Sequence, residues 1–280
     1  MSDPEATAIE ARLDPSAPPD YRRLAARLAV AWSEIRPRRI GLCGGQGSGK
    51  STLGRLIEAA CAEAGLRAIA IGLDDFYLSR AARKAMGAEI HPLFETRGQP
   101  GSHDLERLRS ALDALLDQGV VELPRFDKGL DDRIEDVRVE GPFDLVLFEG
   151  WCVGARPGGV GAETPPLNAL EREADPQGRW RAEVDARLAR DYQLIWERLD
   201  ELVFLQVPGL DAVRRWRLEQ ESSIPEARRL DAAAVDRFVQ HYERITLRML
   251  EDLPERADWT VVLAEDHSVD RTLRREKRFA

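Results

Sequence analysis

The sequence has 280 residues and a formal net charge of −9, with 50 acidic side chains against 41 Lys and Arg. This acidic balance argues against a general nucleic-acid binder and against a protein that binds acidic membrane surfaces. No apolar run approaches the ~20 residues of a membrane-spanning helix. The three cysteines are too widely spaced to suggest a disulfide framework or a metal cluster. We therefore expect a cytoplasmic protein that binds neither nucleic acid nor membrane.

Short apolar segments alternate with amphipathic segments along the chain, as strands alternate with helices. Helices are predicted at 20–35, 49–65, 103–118, 179–199, 209–222 and 230–252. Strand-like segments are RRIGLCG (38–44), LRAIAIGLDD (66–75), VVELPRF (120–126), PFDLVLFEG (142–150), ELVFLQV (201–207) and WTVVLA (259–264). Apolar strands that are each followed by a helix predict a three-layer α/β fold, in which helices flank a mainly parallel sheet.

Two segments show little periodicity. The first twenty residues are rich in proline and predict a loose lead-in to the first long helix. Residues 153–178 are rich in glycine and proline and predict a loop. The amphipathic helices at 20–35 and 230–252 face either the core or a second copy of the chain, so a homodimer remains one interpretation.

Residues 44–51, GGQGSGKS, match the phosphate-loop pattern G-x-x-x-x-G-K-[ST] between a predicted strand and a predicted helix. The glycines allow the backbone N–H groups to curl around phosphate oxygens, and the positive end of the helix faces the same anion. We expect Lys50 to reach the β- and γ-phosphates and Ser51 to bind Mg²⁺. The alternative is a glycine-rich turn that happens to contain a lysine. The residues expected to bind ATP are Gly44, Gly45, Gln46, Gly47, Ser48, Gly49, Lys50, Ser51 and Thr52.

Carboxylates follow two other predicted strands. Asp74 and Asp75 end one strand and Glu149 ends another. Ligands of open α/β sheets bind at the carboxyl ends of the strands. There an acid can hold Mg²⁺ or accept the proton of an attacking hydroxyl. The alternatives are that Asp75 only caps the next helix and that Glu149 is a solvated strand end.

The motifs GGQGSGKST, LDDFY, RGQPGSHD, PRFDKG and LFEGW occur in this order, and the chain thereby resembles a group of P-loop kinases. The group comprises phosphoribulokinase, uridine kinase and type I pantothenate kinase. The sequence is most similar to the D-glycerate 3-kinase family of plants and fungi with its bacterial relatives, over about residues 38–264. The resemblance implies an enzyme that uses ATP and Mg²⁺ to phosphorylate a small hydroxylated acid, D-glycerate above all.

The resemblance also implies roles for individual residues. Asp74 would be the general base for the acceptor hydroxyl, although Asp75 remains an alternative, and Arg217 would lie over the phosphates with Lys50. Glu149 would hold Mg²⁺ together with Ser51. The residues implied to bind the acceptor are Asp75, Tyr77, Arg97, Gln99, His103, Asp104, Lys128 and Arg133.

These residues also have simpler interpretations. The cations could be solvated surface charges, and Arg217 could lie on a solvated helix face. Ser102 could cap a helix whose first turn holds His103 and Asp104.

We divide the chain into a lead-in and helix at 1–36, packed on the core, and a single P-loop kinase domain at 37–280. A lid or helical region is expected around 155–222. The loops GLDDR and ARPGGVGAETPPLN depart from the family pattern near the acceptor. Two other functions therefore remain open: a kinase for a nucleoside, pantothenate or a sugar phosphate, and a regulatory ATPase with a protein partner.

Overall fold

The computed structural model describes residues 3–222 and 229–275. The strands are β1 (Arg39–Gly44), β2 (Ala68–Gly72), β3 (Val120–Asp127), β4 (Asp132–Glu140), β5 (Leu145–Gly150), β6 (Glu201–Gln206), β7 (Trp259–Leu263) and β8 (Val269–Arg274). Six of them form the central sheet in the order β2-β5-β1-β6-β7-β8, and β3 pairs only with β4. All pairings in the central sheet are parallel except that of β7 with β8. The predicted fold class is confirmed.

Helices cover both faces of the sheet. They are α1 (Pro4–Glu10), α2 (Pro19–Ile35), α3 (Lys50–Glu63), α4 (Arg80–Glu89), α5 (Leu105–Asp117), α6 (Ala169–Ala174), α7 (Arg179–Arg187), α8 (Gln193–Trp196), α9 (Leu210–Ser222), α10 (Ala232–Gln240) and α11 (Glu243–Arg256). Among these helices, none is both long and apolar enough to cross a membrane.

Two hydrophobic clusters lie on opposite faces of the sheet. Along β5, Leu145 and Leu147 join the cluster of α1, α2 and α3, whereas Val146 and Phe148 join the cluster of α5, α7 and α11. Successive side chains of a strand point to opposite faces, so a strand that is apolar throughout fits only between two layers. The apolar face of α2 is buried in the first cluster, as the core-facing interpretation requires. The homodimer stays a prediction.

The structure adds elements that the sequence did not predict. The lead-in contains α1, whose N-terminal amides bond to the carboxylate of Asp3. The segment 153–178 contains α6, and α4 follows β2 after a 3-10 turn. The helix expected at 230–252 is divided into α10 and α11, and a π-helical turn at Leu188–Tyr192 interrupts the helix expected at 179–199. The region around 155–222 also includes β6, a strand of the central sheet.

The strand predicted at 120–126 does not join the central sheet. It forms β3, which pairs with β4 as an antiparallel hairpin. The side chains of β3 alternate between buried and exposed, whereas most of those of β4 are exposed. The hairpin places the loop at 128–131 beside the carboxyl ends of the central strands, where it forms part of the cavity described next.

Candidate active site

A cavity of about 1740 Å³ lies at the carboxyl ends of β1, β2 and β5. The phosphate loop, the turn after β2, the hairpin tip and helix α9 form its walls. Of the residues predicted from the sequence, those that line it are Gln46, Gly47, Gly49, Lys50, Ser51, Thr52, Asp74, Asp75, Tyr77, Arg97, Lys128, Glu149 and Arg217. The site thus forms where the strand-end rule for α/β sheets expects it.

The phosphate loop connects β1 to α3. Gly47 and Gly49 both have φ near +79°, which favours glycine. A Cβ on Gly47 would lie 2.7 Å from Cβ of Trp216 on α9, so the loop and this helix are in close contact. Nζ of Lys50 donates hydrogen bonds to the carbonyl oxygens of Gly44 and Gly45, each at 2.9 Å. The lysine thus lies folded along its own loop, at the entrance to α3.

The side-chain oxygens of Ser51 and Glu149 meet beside the start of α3. The hydroxyl of Ser51 donates to Oε1 of Glu149 at 2.5 Å. An ideal Cβ on Gly72 would lie 3.7 Å from Oε1 of Glu149 and 3.9 Å from Oδ2 of Asp75, so both oxygens lie within 4 Å of one point. Hydroxyl and carboxylate oxygens suit Mg²⁺, which takes one or two carboxylates and completes its shell with water and phosphate. Within residues 3–222 and 229–275, no group of three or more His, Cys, Asp or Glu could hold a metal alone.

Asp74 lies in the 3-10 turn that follows β2 and contacts the hairpin. Its Oδ2 lies 2.5 Å from Nζ of Lys128, and its Oδ1 accepts a hydrogen bond of 2.7 Å from the Tyr77 hydroxyl. Burial raises the pKa of Asp74, but the charge and hydrogen bond of Lys128, with the Tyr77 hydroxyl, outweigh it and lower the pKa to about 2. Asp74 is therefore ionised and accepts hydrogen bonds at neutral pH.

Asp75 has a different environment from its neighbour. Oδ2 accepts from the Arg125 guanidinium at 3.0 Å, and Oδ1 accepts a longer bond of 3.4 Å from the Phe126 N–H. Burial raises the pKa of Asp75 in spite of Arg125. Asp75 does not cap the helix that follows, because Ser79 caps α4. This aspartate therefore ties the turn to β3, while Asp74 faces the hairpin tip.

Arg97 contacts the β3–β4 hairpin and the loop that connects its strands. Its guanidinium pairs with Asp131 and lies 5.6 Å from the centroid of the Phe126 ring. Asp131 and Arg125 also line the cavity, and sequence reasoning assigned no role to either. Both residues belong to the segment PRFDKGLDDR, which contains one of the motifs that the sequence analysis identified. The motif therefore marks the segment, but only the folded hairpin shows which of its side chains line the cavity.

The loop RGQPGSHDL (97–105) turns part of its polar side chains away from the cavity. The Gln99 amide donates to the backbone oxygens of Leu93 and Thr96, and its side chain is buried. Asp104 accepts from Arg133 at 2.8 Å. Gln99, Asp104 and Arg133 thus hold the loop and its neighbours together, and none lines the cavity.

His103 is also buried outside the cavity lining. Its Nδ1 lies 2.6 Å from the Tyr192 hydroxyl in the π-helical turn, and its ring stacks on Tyr77 with centroids 4.7 Å apart. Burial lowers the pKa of His103 to about 3, although Asp74 acts to raise it. The imidazole is therefore neutral and packs behind Tyr77, whose hydroxyl binds Asp74.

The expected cap of the next helix is wrong by two residues. Asp104, rather than Ser102, caps α5 and accepts from the Arg107 N–H at 3.1 Å. The Ser102 hydroxyl accepts from the Gly98 N–H and donates to the Gln99 carbonyl. Ser102 therefore closes the preceding turn, which leaves Asp104 to begin the helix.

Arg217 extends from α9 into the cavity. Its side chain is 18% exposed, pairs with the buried Glu221 and lies 5.2 Å from the centroid of the Phe238 ring. The alternative of a solvated helix face is therefore wrong for this residue. Arg215 on the same helix pairs instead with Glu265, outside the lining of the cavity. Of these two arginines, only Arg217 lines the cavity that the phosphate loop also lines.

Comparisons with known proteins give a consistent group of relatives, although no family model matches the chain. It is 31% identical to the uncharacterized kinase mug58 of Schizosaccharomyces pombe, over 75% of this chain and 79% of the relative. It is 29% identical to the chloroplastic D-glycerate 3-kinase of Arabidopsis thaliana, over 85% of this chain but 54% of that longer protein. The structure of D-glycerate 3-kinase from Cryptococcus neoformans superposes with a TM-score of 0.70 at 25% identity, over 91% of this chain and 98% of that one.

Proposed function

The chain belongs to the D-glycerate 3-kinase family of P-loop kinases, and we propose that it transfers the γ-phosphoryl group of ATP to a hydroxyl of D-glycerate. That it is an ATP-dependent small-molecule kinase follows from the named kinases among its relatives. Three parts of this function are proposed: that the acceptor is D-glycerate, that the metal is Mg²⁺, and that individual residues have the roles given below. The observation that carries it is the ionised carboxylate of Asp74 in the cavity that the phosphate loop lines.

The phosphate side uses groups of the loop and of α9. The N–H groups of the loop and the positive end of α3 bind the phosphates. Lys50 leaves the carbonyl oxygens of Gly44 and Gly45 and binds the β- and γ-phosphates instead. Arg217 faces the same phosphates and stabilises charge on the transferring group. Most of the rate enhancement comes from this positioning and charge stabilisation.

Ser51 and Glu149 are the residues that would hold Mg²⁺. Mg²⁺ would supply neutralisation of charge on the β- and γ-phosphate oxygens. The hydrogen bond from the Ser51 hydroxyl to Glu149 holds these two side chains side by side.

The acceptor side joins Asp74 to cations that suit an organic acid. Asp74 accepts a hydrogen bond from the acceptor hydroxyl and takes its proton as the phosphoryl group transfers. Lys128, which pairs with Asp74, and Arg97, which pairs with Asp131, are cations of the cavity lining. An acceptor carboxylate replaces an aspartate as the partner of one of them. A neutral nucleoside has no carboxylate that could pair with Lys128 or Arg97 in place of an aspartate.

An acceptor screen tests this function. ADP release from Mg²⁺-ATP is measured with D-glycerate, L-glycerate, uridine, pantothenate and no acceptor. We expect D-glycerate to raise the rate at least about 100-fold over the rate without acceptor. Turnover with uridine or pantothenate, but not with D-glycerate, would assign another acceptor. The same hydrolysis rate with and without every acceptor would favour a regulatory ATPase.

A further inference from the structure

Helix α2 makes a polar contact with the phosphate loop. The hydroxyl of Tyr21 donates to the backbone oxygen of Ser48 at 2.8 Å, and the Tyr21 side chain is 4% exposed. The ring also lies against the next residue, because an ideal Cβ on Gly49 would be 2.9 Å from Oη of Tyr21. A helix outside the motif thus contacts the peptide unit that joins Ser48 to Gly49.

The contact with Tyr21 also determines the direction of the Gly49 N–H. The carbonyl of Ser48 and the N–H of Gly49 belong to one planar trans peptide and point in opposite directions. With the carbonyl held against α2, the N–H points away from α2, and Gly49 lines the cavity. Among the residues that the structure describes, no acceptor takes the Gly49 N–H, whereas the Gly49 carbonyl bonds to the Leu53 N–H. The Gly49 N–H thus points away from α2 and remains available as a donor.

The position of α2 is fixed by other bonds near the same end. Asp20 accepts from the N–H of Val269 at 2.5 Å and from the N–H of Tyr21. The first of these bonds ties the start of α2 to the edge strand β8. The hydroxyl of Tyr21 therefore belongs to a helix end that is attached to the central sheet, so it can hold the peptide unit in one orientation.

We propose that Tyr21 is a positioning residue for phosphate binding, whose hydroxyl fixes the Ser48–Gly49 peptide so that the Gly49 N–H faces the phosphates of the bound nucleotide. Free rotation of this peptide would allow its carbonyl to face the phosphates instead, where two negative groups repel each other. The inference rests on the proposed function insofar as the bound ligand is a nucleotide.

The experiment compares ADP dissociation constants of the wild-type protein with those of Tyr21→Phe and Ser33→Ala. Tyr21→Phe removes the hydroxyl and keeps the ring against Gly49. Ser33→Ala is a matched control, because its hydroxyl also donates to a backbone oxygen, that of Val30, within the same helix. We expect Tyr21→Phe to bind ADP about 5- to 10-fold more weakly, the effect of one hydrogen bond, and Ser33→Ala to bind it as the wild type does.

Thermal unfolding without nucleotide separates positioning from a purely structural contact. A structural contact would lower the midpoint of Tyr21→Phe and leave its ADP dissociation constant unchanged, which would overturn the inference. Incorporating 4-aminophenylalanine at position 21 restores a donor and should recover most of the lost affinity; no recovery would also count against it. Absence of ADP binding to the wild-type protein would instead contradict the proposed function itself.

Discussion

Nζ of Lys128 lies 2.5 Å from Oδ2 of Asp74, and this pair joins the tip of the β3–β4 hairpin to the turn after β2. The lysine keeps the pKa of the carboxylate near 2 in spite of burial. So weak a base cannot take a proton early in the reaction. It can hold and orient a hydroxyl, and it receives the proton late in a loose transition state. An acceptor carboxylate that draws Lys128 away would also raise the basicity of Asp74 at the moment of binding.

Asp74→Asn tests the base. The amide keeps the shape of the side chain but cannot take a proton, so kcat should fall about 10²- to 10⁴-fold. ATP binding should survive, which calorimetry checks, because Asp74 holds no phosphate in this account. Asp75→Asn is the matched control on the same turn, and we expect it to lose far less activity. If instead Asp75→Asn were the inactive variant, the two aspartates would exchange roles.

Lys128→Met should change the pH dependence of the reaction. The lysine lowers the pKa of Asp74, so its removal lets burial raise that pKa, and the carboxylate becomes protonated at a higher pH. Between pH 6 and 4, kcat/KM of the variant should therefore fall more steeply than that of the wild type, and the KM for the acceptor should rise. The exposed Lys84 provides the control; an equal profile for Lys84→Met and Lys128→Met would refute the effect.

Arg217→Gln tests the cation that α9 contributes. Because the proposed role of Arg217 is to stabilise charge on the transferring phosphoryl group, kcat should fall about 100-fold with a smaller change in the KM for ATP. Arg215→Gln, two residues away and paired with Glu265, should retain nearly full activity. Thermal unfolding must accompany both measurements, because Arg217→Gln leaves the buried Glu221 without this partner. Equal activity of Arg217→Gln and Arg215→Gln would show that Arg217 has no catalytic role.

The buried imidazole of His103 should make the protein less stable in acid. Its pKa is about 3 in the folded state and about 6.5 when unfolded. Below pH 6.5 only the unfolded chain takes up this proton, so the stabilisation is complete above pH 6.5 and is lost as the pH falls toward 3. At pH 5 the loss is about 2 kcal/mol from this group.

Urea unfolding of the wild type, His103→Gln and the surface variant His267→Gln at pH 7 and pH 5 measures that loss. The free energy of unfolding of His103→Gln should change by about 2 kcal/mol less between the two pH values than that of the wild type. The His267→Gln variant should follow the wild type. An unchanged pH dependence in His103→Gln would show that the imidazole is protonated in the fold.

The phosphate loop and most of the central sheet could be predicted because their signals are local. Residues 44–51 combine a fixed spacing with a strand before and a helix after, and β1, β5, β6 and β7 are apolar on both faces. By contrast, β4 has the sequence DRIEDVRVE, and most of its residues are exposed. Its strand structure depends on pairing with β3, and its charged sequence gives no burial signal of its own.

The direction of the polar side chains in RGQPGSHDL could not be predicted for a similar reason. Glycine, proline and serine identified the turn, but the partner of His103 is Tyr192, 89 residues further along the chain in a π-helical turn. Two side chains of one short loop, Arg97 and His103, thus have opposite environments, one in the cavity lining and one in the core. Only the tertiary contacts show which of the two side chains lines the cavity and which is buried in the core.

Transfer of the γ-phosphoryl group from ATP to D-glycerate is tested most directly by a ³¹P NMR spectrum of the protein with Mg²⁺-ATP and D-glycerate. We predict that the γ-phosphate signal of ATP is replaced by a phosphomonoester signal together with the signals of ADP, and that Asp74→Asn produces neither at a comparable rate. The appearance of ADP with inorganic phosphate alone, or of no product with D-glycerate while uridine or pantothenate is phosphorylated, would contradict it.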